Sequence, residues 1–240
     1  FKSDAARGMF TMVLGAGVLS ANDAVSKYMV ESYPIGQILC LRQVAALVAI
    51  LAYVWWSGRW RDLRINDRVG QAWRGLTHVA GAALIVWSLS LLPIATVTAI
   101  AFSSPIIVLI FSMRLLGERV SWRRRIAVII GFVGVVVIIR PGGVSFEWAL
   151  LVPVAAAIVA GMRDLLTRRV ARVDTSLSIL VWASVLLIVA SLFTIPFGWK
   201  PVTLTAAIWF IANGLLNAGA HFLMIDALRR GDAALISPFR

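Results

Sequence analysis

The sequence predicts an all-α, polytopic helical membrane protein, and two observations carry that prediction. Residues Gly75 to Met113 contain no Asp, Glu, Lys or Arg over 39 positions, and Ile126 to Ile139 form a second such stretch. A helix needs about 20 apolar residues to cross the bilayer core, so the first stretch is long enough for two spans. Hydrophobic residues make up 60% of the chain and charged residues 14%, against about 25% charged residues in soluble domains. So few charged residues could not cover the surface of a soluble protein of this length.

Taken in order, the apolar stretches predict eight complete spans and the start of a ninth. The third and fourth spans are separated only by the turn Leu92-Pro93-Ile94. The fifth span is short, which places Trp122 and Arg140 at the two membrane interfaces, with the arginine side chain reaching outward. The predicted spans are 8–30, 35–56, 75–92, 95–116, 124–139, 147–169, 177–196, 204–226 and 232 onward.

Lysine and arginine are unevenly distributed between the connections. Alternate connections share a side of the membrane, and 17 positive residues fall on one side against Lys27, Arg140 and Lys200 on the other. Because Lys and Arg collect in cytoplasmic loops, this distribution places the N-terminus in the cytoplasm. The densest group, Arg114 to Arg125, is then expected to be a cytoplasmic anchor, with binding of a specific ligand as the alternative. The net charge of +12, which in a soluble protein would suggest nucleic acid, has a topological origin here.

The chain also carries a weak internal repeat. Asp23 and Lys27 in the first span correspond to Asp164 and Arg168 in the sixth at an offset of 141 residues, and the ends of the third and eighth spans correspond at an offset of 139. Five spans per copy is an odd number, so the second copy is upside down in the membrane. We expect residues 8–140 and 147–240 to form two inverted repeats of a ten-span protein, the second truncated in its fourth helix. Inverted repeats are typical of transporters, whose substrate site lies near the midplane between the repeats.

Six short motifs follow one another along the chain. They are Leu91-Leu92-Pro93-Ile94-Ala95, Ser103-Ser104-Pro105, Leu116-Gly117-Glu118-Arg119, the glycine-bearing stretch Gly131 to Gly142, Ala227 to Ala234, and Ser237-Pro238. This ordered set resembles the ten-span EamA-type members of the drug/metabolite transporter superfamily. The resemblance implies a carrier of the bacterial cytoplasmic (inner) membrane. Within the superfamily the chain looks like the YddG-like amino-acid exporters.

Polar residues inside the predicted spans mark the candidate substrate site, because ionisable groups in a membrane usually face a cavity or a partner. Asn213, Asn217 and His221 are spaced by four residues and share one helix face. They either line the translocation path or bond the eighth span to a neighbouring helix. The candidate set is Asn22, Asp23, Arg42, His78, Trp87, Ser103, Ser104, Trp182, Asn213, Asn217 and His221.

Several members of this set have two possible roles. His78 corresponds to Asn217 at the offset of 139 residues, which favours a cavity position for both. Arg42 lies too deep in the second span to reach an interface, so it either pairs with Asp23 or offers its planar guanidinium to a substrate carboxylate. Trp87 and Trp182 either line a cavity that binds aromatic substrates or anchor the protein at the membrane interface.

These features favour a secondary transporter that moves small polar metabolites by alternating access through a central cavity. The resemblance to YddG-like exporters implies amino acids, including aromatic ones, as the favoured cargo and export as the favoured direction. Vitamin or nucleotide-like metabolites are the alternative cargo. The sequence contains no Walker-type phosphate loop, so ATP is not expected to drive transport directly.

Other functional classes fit the sequence less well. An intramembrane enzyme is a remote alternative, because no Gly-x-Ser-x-Gly elbow occurs and Asp23 and Asp164 lie toward opposite membrane faces. A channel or scaffold is a further alternative. We expect no cofactor, no metal and no nucleic-acid partner, only substrate and membrane lipid, with a monomer favoured. The single cysteine, Cys40, lies in an apolar stretch and is expected to be a buried thiol.

Overall fold

The computed structural model describes residues 2–101 and 148–230 together with single positions between 103 and 137. This part of the chain consists of α-helices and short 3-10 turns, without a β-strand. Five of its helices, α1, α2, α3, α5 and α7, are long and apolar enough to cross a membrane, which confirms the predicted all-α, multi-pass class. The helices are α1 Lys2–Met29, α2 Ile35–Ser57, α3 Arg68–Leu91, α4 Ile94–Ala101, α5 Leu151–Val170, α6 Ser176–Leu192 and α7 Leu204–Arg230.

The helices follow the predicted spans, with two starts clearly different: α1 begins at Lys2 and not at residue 8, and α3 also begins early. The α3 helix begins at Arg68, well before the predicted start at residue 75. Its first turn is capped by Asp67, whose carboxylate accepts a hydrogen bond from the Gly70 backbone N–H at 2.8 Å. This first turn is polar, so a prediction from hydropathy does not include it in the span. The Asp67 cap and side-chain contacts make it helical. Most of the fifth span, the cluster Arg114–Arg125 and the start of the ninth span lie outside the described residues.

Local signals in the sequence explain where other helices begin and end. The α2 helix stops at Gly58, whose positive φ of 66° is the left-handed conformation that closes a helix C-terminus. The α6 helix starts after Thr175, whose hydroxyl accepts a hydrogen bond from the Ser178 backbone N–H at 3.1 Å. Pro153 lies in the first turn of α5, where a missing N–H costs no helical hydrogen bond.

Packing contacts set the directions of the helices. Ala149, just before α5, packs against Leu89 and Leu92 at the end of α3. The end of α1 lies at the same place, because Lys27 Nζ donates to the Leu89 carbonyl at 2.6 Å. Thus α1 ends where α5 begins, and the two helices run in opposite directions. Opposite directions for corresponding helices are what an inverted repeat requires.

One capping contact occurs once in each half of the chain, between residues that correspond in the repeat. Lys27 Nζ donates to the Leu89 carbonyl at the end of α3, and Arg168 Nη1 donates to the Leu228 carbonyl near the end of α7 at 2.8 Å. Lys27 and Arg168 are 141 residues apart, and Leu89 and Leu228 are 139 residues apart. Both offsets are those read from the sequence. A cation at the carbonyl end of a helix is stabilising, and here one cation caps each half.

One end of the bundle is rich in arginine. It contains the start of α1, the α2–α3 and α5–α6 connections and the end of α7. Asn66 Nδ2 donates to the Val173 carbonyl at 2.9 Å, and Arg229 Nη1 donates to Ser176 Oγ at 3.3 Å. We call this the arginine-rich end. Its arginines include Arg7, Arg59, Arg61, Arg64, Arg68, Arg169, Arg172, Arg229 and Arg230.

The opposite end, called the lysine end, carries Lys27 and Lys200. Gln37 in the first turn of α2 joins it to the α6–α7 connection. Its side-chain amide donates to the Lys200 carbonyl at 2.7 Å and accepts from the Lys200 backbone N–H at 2.9 Å. The described connections are therefore sorted by charge as the sequence predicts. That the arginine-rich end faces the cytoplasm stays a prediction.

Candidate functional site

Buried polar side chains form three groups between the two ends of the bundle. The group nearest the lysine end, called the Arg42 group, joins α1, α2 and α7. Asn213 Nδ2 donates to Ser26 Oγ at 3.0 Å, and Arg42 Nη1 donates to the same oxygen at 3.3 Å. All three side chains are almost completely shielded from solvent. Hydrogen bonds between helices at this depth fix α7 against α1 and α2.

The central group lies one turn further along α7. Asn217 Nδ2 donates to Gln43 Oε1 at 3.1 Å, and Gln43 Nε2 donates to Ser184 Oγ of α6 at 2.6 Å. Gln43 and Ser184 are themselves 141 residues apart, so this bond joins corresponding positions of α2 and α6. The imidazoles of His78 and His221 meet edge to face, with ring centroids 5.0 Å apart and planes at 80°.

The third group, called the Arg74 group, lies toward the arginine-rich end between α3, α5 and α6. Arg74 Nε donates to Thr167 Oγ1 at 3.3 Å, and Arg74 Nη1 donates to the Ile179 carbonyl at 3.4 Å. On α5, Arg163 Nη2 and Asp164 Oδ1 form an ion pair at 3.1 Å. Arg74, Arg163 and Asp164 are all buried. Polar side chains therefore continue from one end of the described bundle to the other.

Three buried atoms of the predicted site make no hydrogen bond within the described part of the chain. They are Asn22 Oδ1, Arg42 Nε and His78 Nδ1. A buried polar atom without a partner costs roughly 1–3 kcal/mol, more when the group is charged. Such atoms are rare in native interiors and call for an explanation such as a ligand or water. Their occurrence along one polar column marks this column as the candidate site.

A family model for EamA-like transporters matches residues 6–140 of this chain. The match covers more than half of the 240 residues. The chain belongs to the EamA-like transporter family. This confirms the family resemblance seen in the ordered motifs and places the chain among transporters, not enzymes.

Individual relatives of this EamA-like chain are named for two kinds of cargo. The chain is 28% identical over 221 residues to an S-adenosylmethionine uptake transporter of Rickettsia bellii, covering 92% of this chain and 76% of that protein. It is 34% identical over 183 residues to a riboflavin transporter of Rhizobium johnstonii, covering 72% of this chain and 59% of that protein. It is 25% identical over 237 residues to a riboflavin transporter of Vibrio cholerae, covering 97% of this chain and 80% of that protein.

Five of the eleven residues predicted for the site of this EamA-like protein meet in the buried column. Arg42, Asn213, Asn217, His78 and His221 lie in the Arg42 and central groups, as described above. The hydrogen bonds of Asn213 and Asn217 also join α7 to α1 and α2. Both residues therefore have the helix-joining role that the sequence gave as one of two alternatives. Whether the same side chains contact substrate stays a prediction.

Two further members are neighbours on α1, where Asn22 lies one helical turn before Ser26 and belongs to the same column. Asn22 Nδ2 donates to Asp23 Oδ1 at 3.2 Å. The Asp23 carboxylate is close enough to act electrostatically on the Arg42 guanidinium. Asp23 therefore balances part of the buried positive charge of Arg42, in line with the structural alternative predicted for this pair.

The two tryptophans and the two serines are not part of the three groups described above. Trp182 is 38% exposed and its Nε1 donates to the Leu63 carbonyl in the α2–α3 connection at 3.2 Å, so it anchors that connection. Trp87 is 42% exposed on the outer face of α3. Neither ring belongs to the three buried groups, and the choice between cavity wall and membrane-interface anchor stays a prediction. Ser103 Oγ donates back to the Ile100 carbonyl at 2.7 Å, whereas Ser104 is buried.

Sequence reasoning missed Arg74, which it counted among the positive residues of a cytoplasmic connection. The structure buries Arg74 within α3, one turn before His78. Two signals were available: Arg74 is four residues from His78 and therefore shares its helix face, and it corresponds to Asn213 at the offset of 139 residues. Accordingly, Arg74 bonds to Thr167 as Asn213 bonds to Ser26.

Proposed function

We propose that this EamA-like protein is a secondary carrier for a vitamin-like or nucleotide-like metabolite, moved across the bacterial cytoplasmic membrane by alternating access along the buried polar column. The observation that carries this proposal is the column itself. It crosses the described bundle and includes three unsatisfied polar atoms, Asn22 Oδ1, Arg42 Nε and His78 Nδ1. A bundle that needed only adhesion between helices would leave fewer such atoms, since each is costly in a membrane.

The composition of the column suits a heterocyclic cargo. Amides at Gln43, Asn213 and Asn217 offer both donors and acceptors, and the imidazoles of His78 and His221 add flat surfaces. S-adenosylmethionine and riboflavin, for which relatives are named, both combine a flat heterocycle with several hydrogen-bonding groups. This supports the vitamin or nucleotide-like alternative over amino-acid export, and uptake over export.

The described contacts also support the proposed architecture. We assign residues 8–140 and 147–240 to two inverted repeats, with the arginine-rich end in the cytoplasm and one chain as the working unit. Rocking of one repeat against the other would expose the column to each side in turn. The repeated caps, Lys27 on α3 and Arg168 on α7, lie at opposite ends of the bundle, as such a motion around a pseudo-two-fold axis would require.

Uptake into proteoliposomes tests the function. Labelled S-adenosylmethionine, riboflavin and phenylalanine are offered separately to liposomes that contain the purified protein and to empty liposomes. We expect saturable uptake of S-adenosylmethionine or riboflavin, stimulated by the same unlabelled compound inside. The proposal is wrong if none of the three enters faster than into empty liposomes, or if only phenylalanine does.

A matched pair of variants on α7 tests the site. Asn217→Ala removes a side chain of the column, whereas Leu215→Ala alters a side chain that is 50% exposed on the same helix. We expect Asn217→Ala to reduce saturable uptake at least several-fold and Leu215→Ala to leave it nearly unchanged. Equal effects of the two substitutions would argue against the column as the path.

A further inference from the structure

Two buried guanidinium groups lie at similar depths from opposite ends of the bundle. Arg42 is seven residues after Ile35, where α2 begins at the lysine end. Arg74 is six residues after Arg68, where α3 begins at the arginine-rich end. At a rise of about 1.5 Å per residue, each lies roughly 10 Å inside its own end. Both are within electrostatic reach of His78 in the central group.

Both guanidinium groups are held in the same way, by equivalent hydroxyls of the two repeats. Arg42 Nη1 donates to Ser26 Oγ of α1, and Arg74 Nε donates to Thr167 Oγ1 of α5, each at 3.3 Å. Ser26 and Thr167 are 141 residues apart and correspond in the repeat. Both arginines belong to the first repeat and lie on different helices of it, α2 and α3. The likeness of their surroundings is therefore a property of the folded structure alone.

Among the described residues, neither guanidinium forms the hydrogen bonds that a buried cation normally has. Hydrogen bonds from a guanidinium to a carboxylate are typically about 2.7–2.9 Å long and often paired. Here the acceptors are neutral oxygens at 3.3–3.4 Å, and Arg42 Nε has no partner among the described residues. Asp23 and Asp164 act electrostatically on Arg42 and Arg74, respectively, but burial of a cation stays costly unless further hydrogen bonds also compensate it.

Two buried carboxylates on the arginine-rich side of the described bundle, Asp164 and Asp174, are bonded to other groups. Asp164 forms its ion pair with Arg163 at 3.1 Å. Asp174 accepts from the Asn66 backbone N–H at 2.7 Å and from Gln71 Nε2 at 2.9 Å. The hydrogen bonds of the Arg74 side chain itself therefore go to a hydroxyl and a carbonyl. A guanidinium bonded only to a hydroxyl and a carbonyl is suited to bind the carboxylate of a ligand.

We propose that Arg42 and Arg74 are two successive binding sites for a carboxylate group of the substrate, one used near each end of the path. This inference rests on the proposed carrier function and narrows its cargo to metabolites that bear a carboxylate. The amino-acid portion of S-adenosylmethionine has such a group, whereas riboflavin has none. When the bundle opens toward one end, the arginine near that end exchanges its long hydroxyl bond for a paired bond to the substrate.

Two substrates that differ only by the carboxylate test the proposal. Uptake of S-adenosylmethionine is compared with uptake of decarboxylated S-adenosylmethionine, using the unmodified protein, Arg42→Gln, Arg74→Gln and Arg59→Gln. Arg59 is an exposed arginine that pairs with Asp62 in the α2–α3 connection and serves as the control. Vesicles with a single protein orientation allow each substrate to be offered from either end.

We expect each column variant to raise the half-saturating concentration of S-adenosylmethionine by about tenfold or more, the ratio that a lost charge-assisted bond gives. Arg74→Gln acts on substrate offered from the arginine-rich end, and Arg42→Gln acts on substrate offered from the lysine end. Decarboxylated S-adenosylmethionine, which already lacks the bond, is unaffected, and Arg59→Gln changes neither substrate. If Arg74→Gln does not fold, Arg74→Lys replaces it, with a smaller loss confined to S-adenosylmethionine.

Three results separate this inference from the carrier proposal. Equal losses for both substrates would mean that the arginines only support the structure, and would overturn the inference. Saturable uptake of riboflavin with no uptake of S-adenosylmethionine would also overturn it, while leaving the carrier function in place. Uptake of no compound by the unmodified protein would refute the carrier function itself.

Discussion

Replacement of Gly214 by alanine tests how closely α7 must approach α2. A Cβ at this position would lie 2.3 Å from the Arg42 carbonyl oxygen and 2.8 Å from Ala45 Cβ. Ordinary contacts begin near 3.4 Å, so the two helices would have to separate by about 1 Å, because interiors are packed too densely to absorb the methyl. The Asn217–Gln43 bond, now 3.1 Å, would then lengthen to about 4 Å and no longer be a hydrogen bond.

The expected size of the effect follows from two opposing terms. Overpacking typically costs about 1–3 kcal/mol, and the gain in helix propensity from Gly to Ala returns about 1 kcal/mol. We expect Gly214→Ala to lower stability by up to about 2 kcal/mol and to reduce transport, because the contacts around Arg42 and Asn217 are displaced. Gly219→Ala on the same helix is the control, since its Cβ would meet nothing within 4 Å.

The protein carries its own reporter for this measurement. Cys40 is its single cysteine and is a free, buried thiol, so a thiol-reactive dye gains fluorescence only as the bundle opens. We expect a lower unfolding temperature for Gly214→Ala and an equal or higher one for Gly219→Ala, with uptake measured in parallel. If both variants unfold and transport alike, the reasoning from close helix contact is refuted.

Three further predictions use the same assays. Lys27→Met and Arg168→Met each remove a cation from a helix carboxyl end and should cost about 0.5–1 kcal/mol, seen as a lower unfolding temperature; no change would show that the caps contribute nothing. A double-mutant cycle of Gln43→Leu and Asn217→Leu should show a coupling of about 0.6–2 kcal/mol, and purely additive losses would contradict the bond between them. Trp182→Phe should leave the half-saturating substrate concentration unchanged, because the Trp182 ring bonds to the α2–α3 connection. A clear shift in that concentration would indicate that Trp182 contacts the substrate.

Much of the fold could be predicted because its signals are local. A span is recognised from the composition of about 20 consecutive residues, and the described helices lie where those stretches are. The face shared by Asn213, Asn217 and His221 follows from helical periodicity alone. The internal offsets of 139 and 141 residues pair Lys27 with Arg168, and the same pairing recurs in the two capping contacts.

The sequence by itself determined that this chain is a helical membrane protein with polar residues inside its spans, because hydropathy and periodicity are properties of neighbouring residues. Only the tertiary structure decided which polar residues meet. By sequence Arg74 is a residue of a connection, whereas in the structure α5 and α6 surround it with Thr167 and Ile179. The sequence left two roles open for Trp182 and did not show that its ring N–H bonds to the α2–α3 connection. Those outcomes depend on contacts between residues about 100 positions apart, which no local pattern encodes.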